Sequence, residues 1–222
     1  MIADHYSVSS INYEDTKEWI LKKHYAHRMP SISYAFGLFS DNKLVGVCTY
    51  GTPASPSLVR GAFNGHYCDC FYELNRLVVN DGLPHNTLSY FVAQTFSMLP
   101  KPMVIVSYSD TSMHHNGYIY QATNFVYTGL SEPHKDYYLT ESPDMHFRHM
   151  LDDLGGINKA REQIELNECQ RARKHRYFIV LGSGRQKRRM LRNLQYPILK
   201  YPKGKNKRYD ASYKPNIQLT LF

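Results

Sequence analysis

Apolar residues recur along this chain with two spacings. From Tyr13 to His24 (YEDTKEWILKKH) they fall on a helix-like stripe that includes Trp19 and Ile20, with acids early and lysines late as the helix macrodipole favours, and a first helix is expected there. The runs SYAFGLFS and KLVGVCTYG are β-rich, and the turn cluster Ser40-Asp41-Asn42 between them predicts a hairpin. A Pro/Gly/Ser loop follows from Gly51 to Gly65. Phe71 to Val79 (FYELNRLVV) reads as a strand, Asn80 to Thr87 (NDGLPHNT) as a connection, and Leu88 to Leu99 as a helix entered from Asn86 or Thr87 as cap. After Pro100-Lys101-Pro102, MVIVSYSD is the continuous apolar run of a buried strand with polar residues at its end, and Gly117 to Phe125 has helical spacing through Tyr118, Ala122 and Phe125. VYTGL and DYYLT are short strand candidates, Leu151 to Gln170 is one helix or two, and YFIVLG is the last clear strand. From Gln186 a basic helix leads into a Pro/Lys-rich tail, YPILKYPKGKNKRYD, for which no regular structure is expected. Strand, helix, strand, helix in this order predicts an α/β (α+β) fold, a mixed central sheet with at least one parallel pair, flanked by helices.

Composition narrows the class. At 222 residues, with 42% hydrophobic and 14% aromatic content, the chain can bury one sizeable core. The longest apolar runs, Pro102 to Val106 and Tyr177 to Leu181, fall far short of the roughly 20 residues of a membrane span, and MIADHYSVSS is not a basic-then-apolar export signal. A soluble cytoplasmic protein with no membrane partner is expected. Cys48, Cys68, Cys70 and Cys169 are therefore expected to be free thiols.

The net charge of +8 conceals an asymmetry: from Arg171 to Phe222 fifteen Lys and Arg face Asp210 alone, a charge of +14, while residues 1–170 carry −6 from twelve cations and eighteen acids. The chain thus divides into a core, 1–170, and a basic segment, 171–222, that continues the core through a last strand near 177–181 and ends in an extended tail. Counterion release draws such a segment to a polyanion, and Arg171, Arg173, Lys174, Arg176, Lys187, Arg188, Arg189, Lys203 and Lys205 are expected to bind nucleic acid. Tyr177, Phe178, Tyr196, Tyr201, Tyr209 and Tyr213 are interleaved as stacking faces for bases. A tail that merely solubilises the chain is the plainer alternative.

Several polar residues sit where chemistry is plausible. His24 and Tyr25 follow the first helix, where a loop can aim them at a cleft, His24 as base or metal ligand and Tyr25 as a stacking face; packing of the pair on the sheet is the alternative. Arg76 lies inside an apolar strand, so its charge needs a partner such as Glu73, Asp110 or a substrate group. Ser107, Ser109 and Asp110 end a strand at the edge where α/β sheets bind ligands, and Asp110 can orient an amine or cap the next turn. Asp136 with His24 could complete a His/carboxylate iron site. His66, Cys68 and Cys70 suggest zinc only weakly, and His114-His115-Asn116 reads as a loop and cap before the helix at Gly117.

Hairpin, strand, turn, helix, strand, and then the spacing of Gly117, Tyr120, Phe125 and Gly129 resemble the GNAT acetyltransferase superfamily. That resemblance implies a coenzyme-A thioester along Leu77, Val78 and Val79, with its pyrophosphate at the helix beginning at Asn86 and Thr87 and a further contact at Asn116. It also implies Tyr120 as general acid. The superfamily's glycine-rich turn is replaced here by Asn80 to Thr87, with one glycine, a proline and Asp81, so a different donor grip is expected.

A closer resemblance is to the phage Mom family. It rests on six pieces in order: His24-Tyr25-Ala26-His27-Arg28-Met29-Pro30, Tyr72-Glu73-Leu74-Asn75-Arg76-Leu77, Ser107-Tyr108-Ser109-Asp110, Tyr120-Gln121-Ala122-Thr123-Asn124-Phe125, Lys135-Asp136-Tyr137-Tyr138-Leu139, and Lys174-His175-Arg176-Tyr177. The resemblance implies an enzyme that adds a carbamoylmethyl-type group to the exocyclic nitrogen of adenine in phage DNA, shielding it from host restriction. It implies double-stranded DNA as partner, with the target base flipped out. His24, Tyr25, Arg76, Ser109, Asp110, Tyr120 and Asp136 are the catalytic candidates. The donor is acetyl-coenzyme A or a glycine-derived group, such as one carried on a tRNA. The rival readings are an N-acetyltransferase acting on RNA or a basic protein, and a DNA-binding protein without enzymatic activity.

Overall fold

A computed structural model describes residues 2–138, 155, 157–163, 167–205 and 212–215. Strands β1 (Ser7–Ser10), β2 (Tyr34–Ser40), β3 (Lys43–Gly51), β4 (Phe71–Val79), β5 (Met103–Asp110) and β6 (Val126–Leu130) are followed by β7 (Lys135–Tyr138), β8 (Asn167–Gln170) and β9 (Lys174–Leu181). Seven of them form one sheet in the order β1-β2-β3-β4-β5-β9-β6, and β7 and β8 make a separate ribbon. Only β4 and β5 pair in parallel. The expected hairpin is β2-β3: Ser40 faces Lys43 across a two-residue turn at Asp41 and Asn42, both left-handed at φ 49° and 60°. Asp and Asn tolerate that backbone better than other side chains do.

The helices are α1 (Tyr13–Glu18), α2 (Pro56–Gly61), α3 (Thr87–Met98), α4 (Tyr118–Ala122), α5 (Ile157–Gln163) and α6 (Gly184–Arg192). Alternation along the buried strands feeds two cores. Met103, Ile105, Tyr177 and Leu181 pack with Phe91 and Val92 of α3 and Tyr120 of α4 on one face. Val104, Val106, Phe178 and Val180 pack with Leu58 of α2, Ala62 just beyond it and Met190 of α6 on the other. Burial on both faces explains the unbroken apolar run of β5. Because β9 lies between β5 and β6, the basic segment supplies an inner strand of the sheet.

The parting of β4 and β5 positions the site. Their ladder ends at Glu73 opposite Val106, whereas β4 stays paired to β3 as far as Val79 opposite Gly46. At the fork Ser107 Oγ donates to the Leu74 carbonyl at 2.8 Å. Beyond it, the β5-facing edge of β4 lines a cleft.

Several boundaries differ from expectation. The first helix is α1 followed by a π-helical turn, Trp19–Lys23, that ends at His24. The expected loop from Gly51 contains α2, started by Pro56 and capped by Ser55, whose Oγ accepts from Leu58 N at 3.2 Å. β1, an exposed edge strand of SVSS, has no apolar alternation to announce it. α6 begins two residues before Gln186 because Ser183 and Gln186 form a capping box. Of the expected helix at Leu151 to Gln170, α5 is present and its end is strand β8; residues 151–154, 156 and 164–166, with Leu139, lie outside the described residues.

Candidate active site

A cleft of about 780 Å³ opens at the fork. Its walls are β4 from Glu73 to Val79, the turn and α3 N-terminus from Asp81 to Ser89, α4 from Gly117, and the loop carrying His24 and Tyr25, with Tyr108, Ser109, His115 and Lys174 at the β5–β9 end. Leu77, Val78 and Val79 lie along the open strand edge as expected. Asn86 precedes α3 in a left-handed conformation, and Thr87 is fully buried with its Oγ1 making no hydrogen bond. Lys23, buried to 3% exposure, places Nζ 3.3 Å from Asp81 Oδ2 and 2.6 Å from the Tyr213 carbonyl, so the acid in the turn that replaces the glycine-rich one is ion-paired.

The loop after α1 is fixed by Arg76. Its Nε and Nη2 donate to the Arg28 carbonyl at 3.3 and 2.9 Å, and Nη1 to the Asn75 carbonyl at 2.7 Å. The expected carboxylate partner is replaced by backbone oxygens, and Arg76 positions the loop. His24 stacks on Tyr25 at 4.5 Å, and its Nδ1 accepts from Ala26 N at 3.1 Å, which assigns the proton to Nε2. Burial, then the charges of Arg76, His27, His115 and Lys174, push His24 down to about 3. It is a neutral donor, and the base role expected for it is corrected.

Ser109 Oγ donates to the His115 carbonyl at 2.6 Å. Asp110 caps the turn that follows, accepting from Ser112 N at 3.0 Å and Ser112 Oγ at 2.6 Å, with Lys174 Nζ 3.2 Å away. Burial raises this carboxyl, but the Ser112 hydrogen bonds and Lys174 outweigh it and leave the value lowered, so Asp110 is a poor proton acceptor. Tyr120 packs between Phe125 and Tyr177, each ring 5.2 Å away, with its hydroxyl 3.4 Å from the Tyr108 carbonyl; burial raises its value strongly and keeps it protonated. Asn116 does not line the cleft: its Nδ2 donates to the Lys205 carbonyl at 3.2 Å, and its carbonyl accepts from Tyr177. Asp136 is on the β7-β8 ribbon opposite Cys169, away from the cleft lining; its side chain is outside the described residues.

Glu73 was considered from sequence only as a partner for Arg76. It lines the cleft where β4 leaves β5, and burial first of all raises its carboxyl above the ordinary value. Single-residue polarity inside a strand gave no sign of this, because the fork that exposes Glu73 is a tertiary feature. Among the described residues no three His, Cys, Asp or Glu gather as metal ligands. The four cysteines are unpaired.

The basic segment separates into three settings. Arg176 is a correction: at 6% exposure it is buried, with Nε 3.0 Å from Thr128 Oγ1 and its guanidinium 3.6 Å from the Tyr196 ring centroid. Arg173 donates to the Ser131 carbonyl at 2.6 Å and Lys174 pairs with Asp110, while the Arg171 amide ties to the His134 carbonyl. Lys203 and Lys205 are exposed on a tail held by Tyr118 and Asn116, whereas Lys187, Arg188 and Arg189 are exposed on α6. The stacking faces are mostly spent inside: Tyr177 and Phe178 are fully buried and Tyr196 stacks on Phe178. Tyr201 bonds to the Phe125 carbonyl, Tyr213 lies under Lys22, and Tyr209 is outside the described residues. No helix among the described residues is long and apolar enough to cross a membrane.

A mixed sheet that forks over a helix N-terminus defines the class as an α/β protein with a ligand-sized cleft between parallel strands. Solved structures similar to it include a GNAT-family acetyltransferase from Bacillus cereus (12% identity, TM-score 0.42, 80% of this chain and 99% of that one). Another is the ribosomal-protein-S18-alanine N-acetyltransferase of Escherichia coli (10%, 0.45, 81% and 96%). The chain belongs to the Mom protein family, which matches residues 5–203. It is 28% identical over 137 residues to the methylcarbamoylase mom of Escherichia phage Mu, an alignment that spans 57% of each chain.

Proposed function

We propose that this chain is a phage DNA-modification transferase that places a carbamoylmethyl-type group on the exocyclic N6 of adenine, in the host cytoplasm, and so protects phage DNA from restriction. The observation that carries the reading is the forked cleft, lined by residues of five of the six pieces that resemble the family, in a chain that belongs to the Mom family over residues 5–203. Its volume suits a donor and a flipped base better than a duplex, and a base in the stack must leave it to be reached. The open edge of β4 at Leu77 to Val79 and the buried hydroxyl of Thr87 at the α3 N-terminus fit the polar backbone and anionic end of a coenzyme-A-type donor, which when bound would supply an activated acyl group. A glycine-derived group is the alternative donor, since acyl transfer from acetyl-coenzyme A alone does not make an N-alkyl amide. Transfer forms the bond from N6 to the donor's methylene carbon and breaks the bond from that carbon to the donor's leaving group, which departs with the electron pair. Glu73 accepts the proton that leaves the amine, and His24 Nε2–H and the Tyr120 hydroxyl donate hydrogen bonds to substrate carbonyl or ring atoms. Arg76 holds the His24–Tyr25 loop in place. The described residues do not fit iron: His24 uses Nδ1 internally and lies among cations.

Mass analysis of adenine nucleosides from DNA of cells expressing the chain tests this. A nucleoside heavier by a carbamoylmethyl group is expected. Unmodified adenine together with acetylated RNA or protein would install the N-acetyltransferase reading instead, and no modification anywhere would favour a DNA-binding protein.

A further inference from the structure

The cations of α6 are arranged differently from the other described cations of the basic segment. Arg185, Arg188, Arg189 and Arg192 stand at i, i+3, i+4 and i+7, which places them on one side of the helix. Met190 and Leu191, on the opposite side, anchor the helix in the core that α2 shares. All four arginines are exposed, and among the described residues none has an acid, carbonyl or ring as partner. Like charges at i, i+4 repel one another across water, so a stripe of four with no acid among the described residues beside it is stabilised by an outside polyanion.

Its position separates it from the cleft. β9 begins with Lys174 at the cleft and ends at Leu181, and α6 leaves from that far end, about 23 Å away at the ~3.3 Å rise of a strand. The helix then packs on the sheet face opposite α3 and α4, which wall the cleft. The sequence GRQKRRMLR contains no aromatic residue, so this face can grip phosphates but cannot stack unpaired bases. The stripe extends about 10 Å along the helix, a length of duplex that carries about six phosphate charges on its two strands.

We propose that the arginine face of α6 is a second DNA-binding site, one that holds duplex backbone without reading sequence and at a distance from the base being modified. This rests on the DNA-modification reading above. It gives the cleft a tether: the chain stays on DNA through α6 while the cleft samples adenines.

Binding of the full chain to a mixed-sequence duplex of about 30 base pairs, followed from roughly 50 to 200 mM salt, tests the site. The variant carries Arg185→Gln, Arg188→Gln, Arg189→Gln and Arg192→Gln together, changes that preserve helix propensity, and its thermal midpoint is checked against wild type. The slope of log affinity against log salt should become shallower by about three to four, at about 0.9 per lost phosphate contact. An unchanged slope with wild-type binding intact overturns the α6 site and leaves the DNA reading standing. Failure of the folded wild type to bind duplex DNA removes that reading itself. A loss seen on duplex RNA but not on DNA overturns the assignment to DNA and makes RNA the occupant.

Discussion

Inside the cleft, ionisable groups are buried and their protonation is set by the protein; on α6, cations stand in water with no partner among the described residues. The same residue types occur in both regions, so composition alone cannot tell them apart. Arg176 and Arg188 belong to one basic segment, yet the first is closed in by Thr128 and Tyr196 and the second is exposed with no partner among the described residues. Pairing, rather than density of charge, separates a structural cation from a binding one.

The strongest way to break this contrast is at Glu73, the cleft carboxyl proposed above to accept the amine proton. Glu73→Gln should lower kcat by about 10²- to 10⁴-fold, the usual contribution of a general base. Burial raises the Glu73 carboxyl, so the acid limb of the wild-type rate profile should lie above the ordinary carboxylate range, with activity rising as pH climbs through it. The variant should lose that limb. It should be at least as stable as wild type at neutral pH, since a raised carboxyl costs folding energy once it ionises. A variant with full activity and an unmoved limb would return the proton to another group.

Arg176 and Arg188 allow a direct comparison. Arg176→Ala removes a ring contact and leaves the buried Thr128 hydroxyl and carbonyl without their donor, a loss of about 3 kcal/mol in chemical denaturation. Arg188→Ala should change stability by less than about 0.5 kcal/mol, because it is exposed and has no partner among the described residues. Equal losses would show that α6 has internal partners.

Much of the framework was legible in the sequence because it is local. The β2-β3 hairpin follows from alternation and the Asp41-Asn42 turn, and β5 from a run too apolar for a half-exposed strand. The site was legible as a set of residues and not as roles. His24, Tyr25, Arg76, Ser109 and Tyr120 do meet at one cleft. That His24 is neutral, that Asp110 is spent on Ser112 and Lys174, and that Arg76 holds a loop carbonyl all depend on contacts between strands and loops distant in sequence. The turn at Asn80 to Thr87 shows the same limit, since the pairing of Asp81 with Lys23 spans 58 positions.

His24 offers a smaller effect that reads the interior without an activity assay. In the unfolded chain its imidazole takes a proton near pH 6.5, whereas in the fold burial and cationic neighbours hold it to about 3. Between these values the unfolded state binds the extra proton, so stability is lost as pH falls below about 6.5. At pH 5 the loss from this group is about 2 kcal/mol, at 1.36 kcal/mol per pH unit. Denaturation at pH 7 and pH 5 should show that drop shrinking by about that amount in His24→Gln; an equal drop in both proteins would mean that the imidazole is not held neutral.

Thr87 gives a smaller effect than His24 and the finest separation of the two regions. Its hydroxyl is buried at the start of α3 with no hydrogen bond in the fold, so burial is a cost the folded chain bears. On α6 the unmet groups are charged and exposed, and water relieves them; at Thr87 there is no such relief. Thr87→Val keeps the shape and removes the polar atom, and should raise stability by about 1 kcal/mol. If the hydroxyl is there to meet the anionic end of a donor, the same change should weaken binding of coenzyme A measured by titration calorimetry. Stabilisation together with undiminished binding would mean that the donor's anionic end lies elsewhere along the cleft.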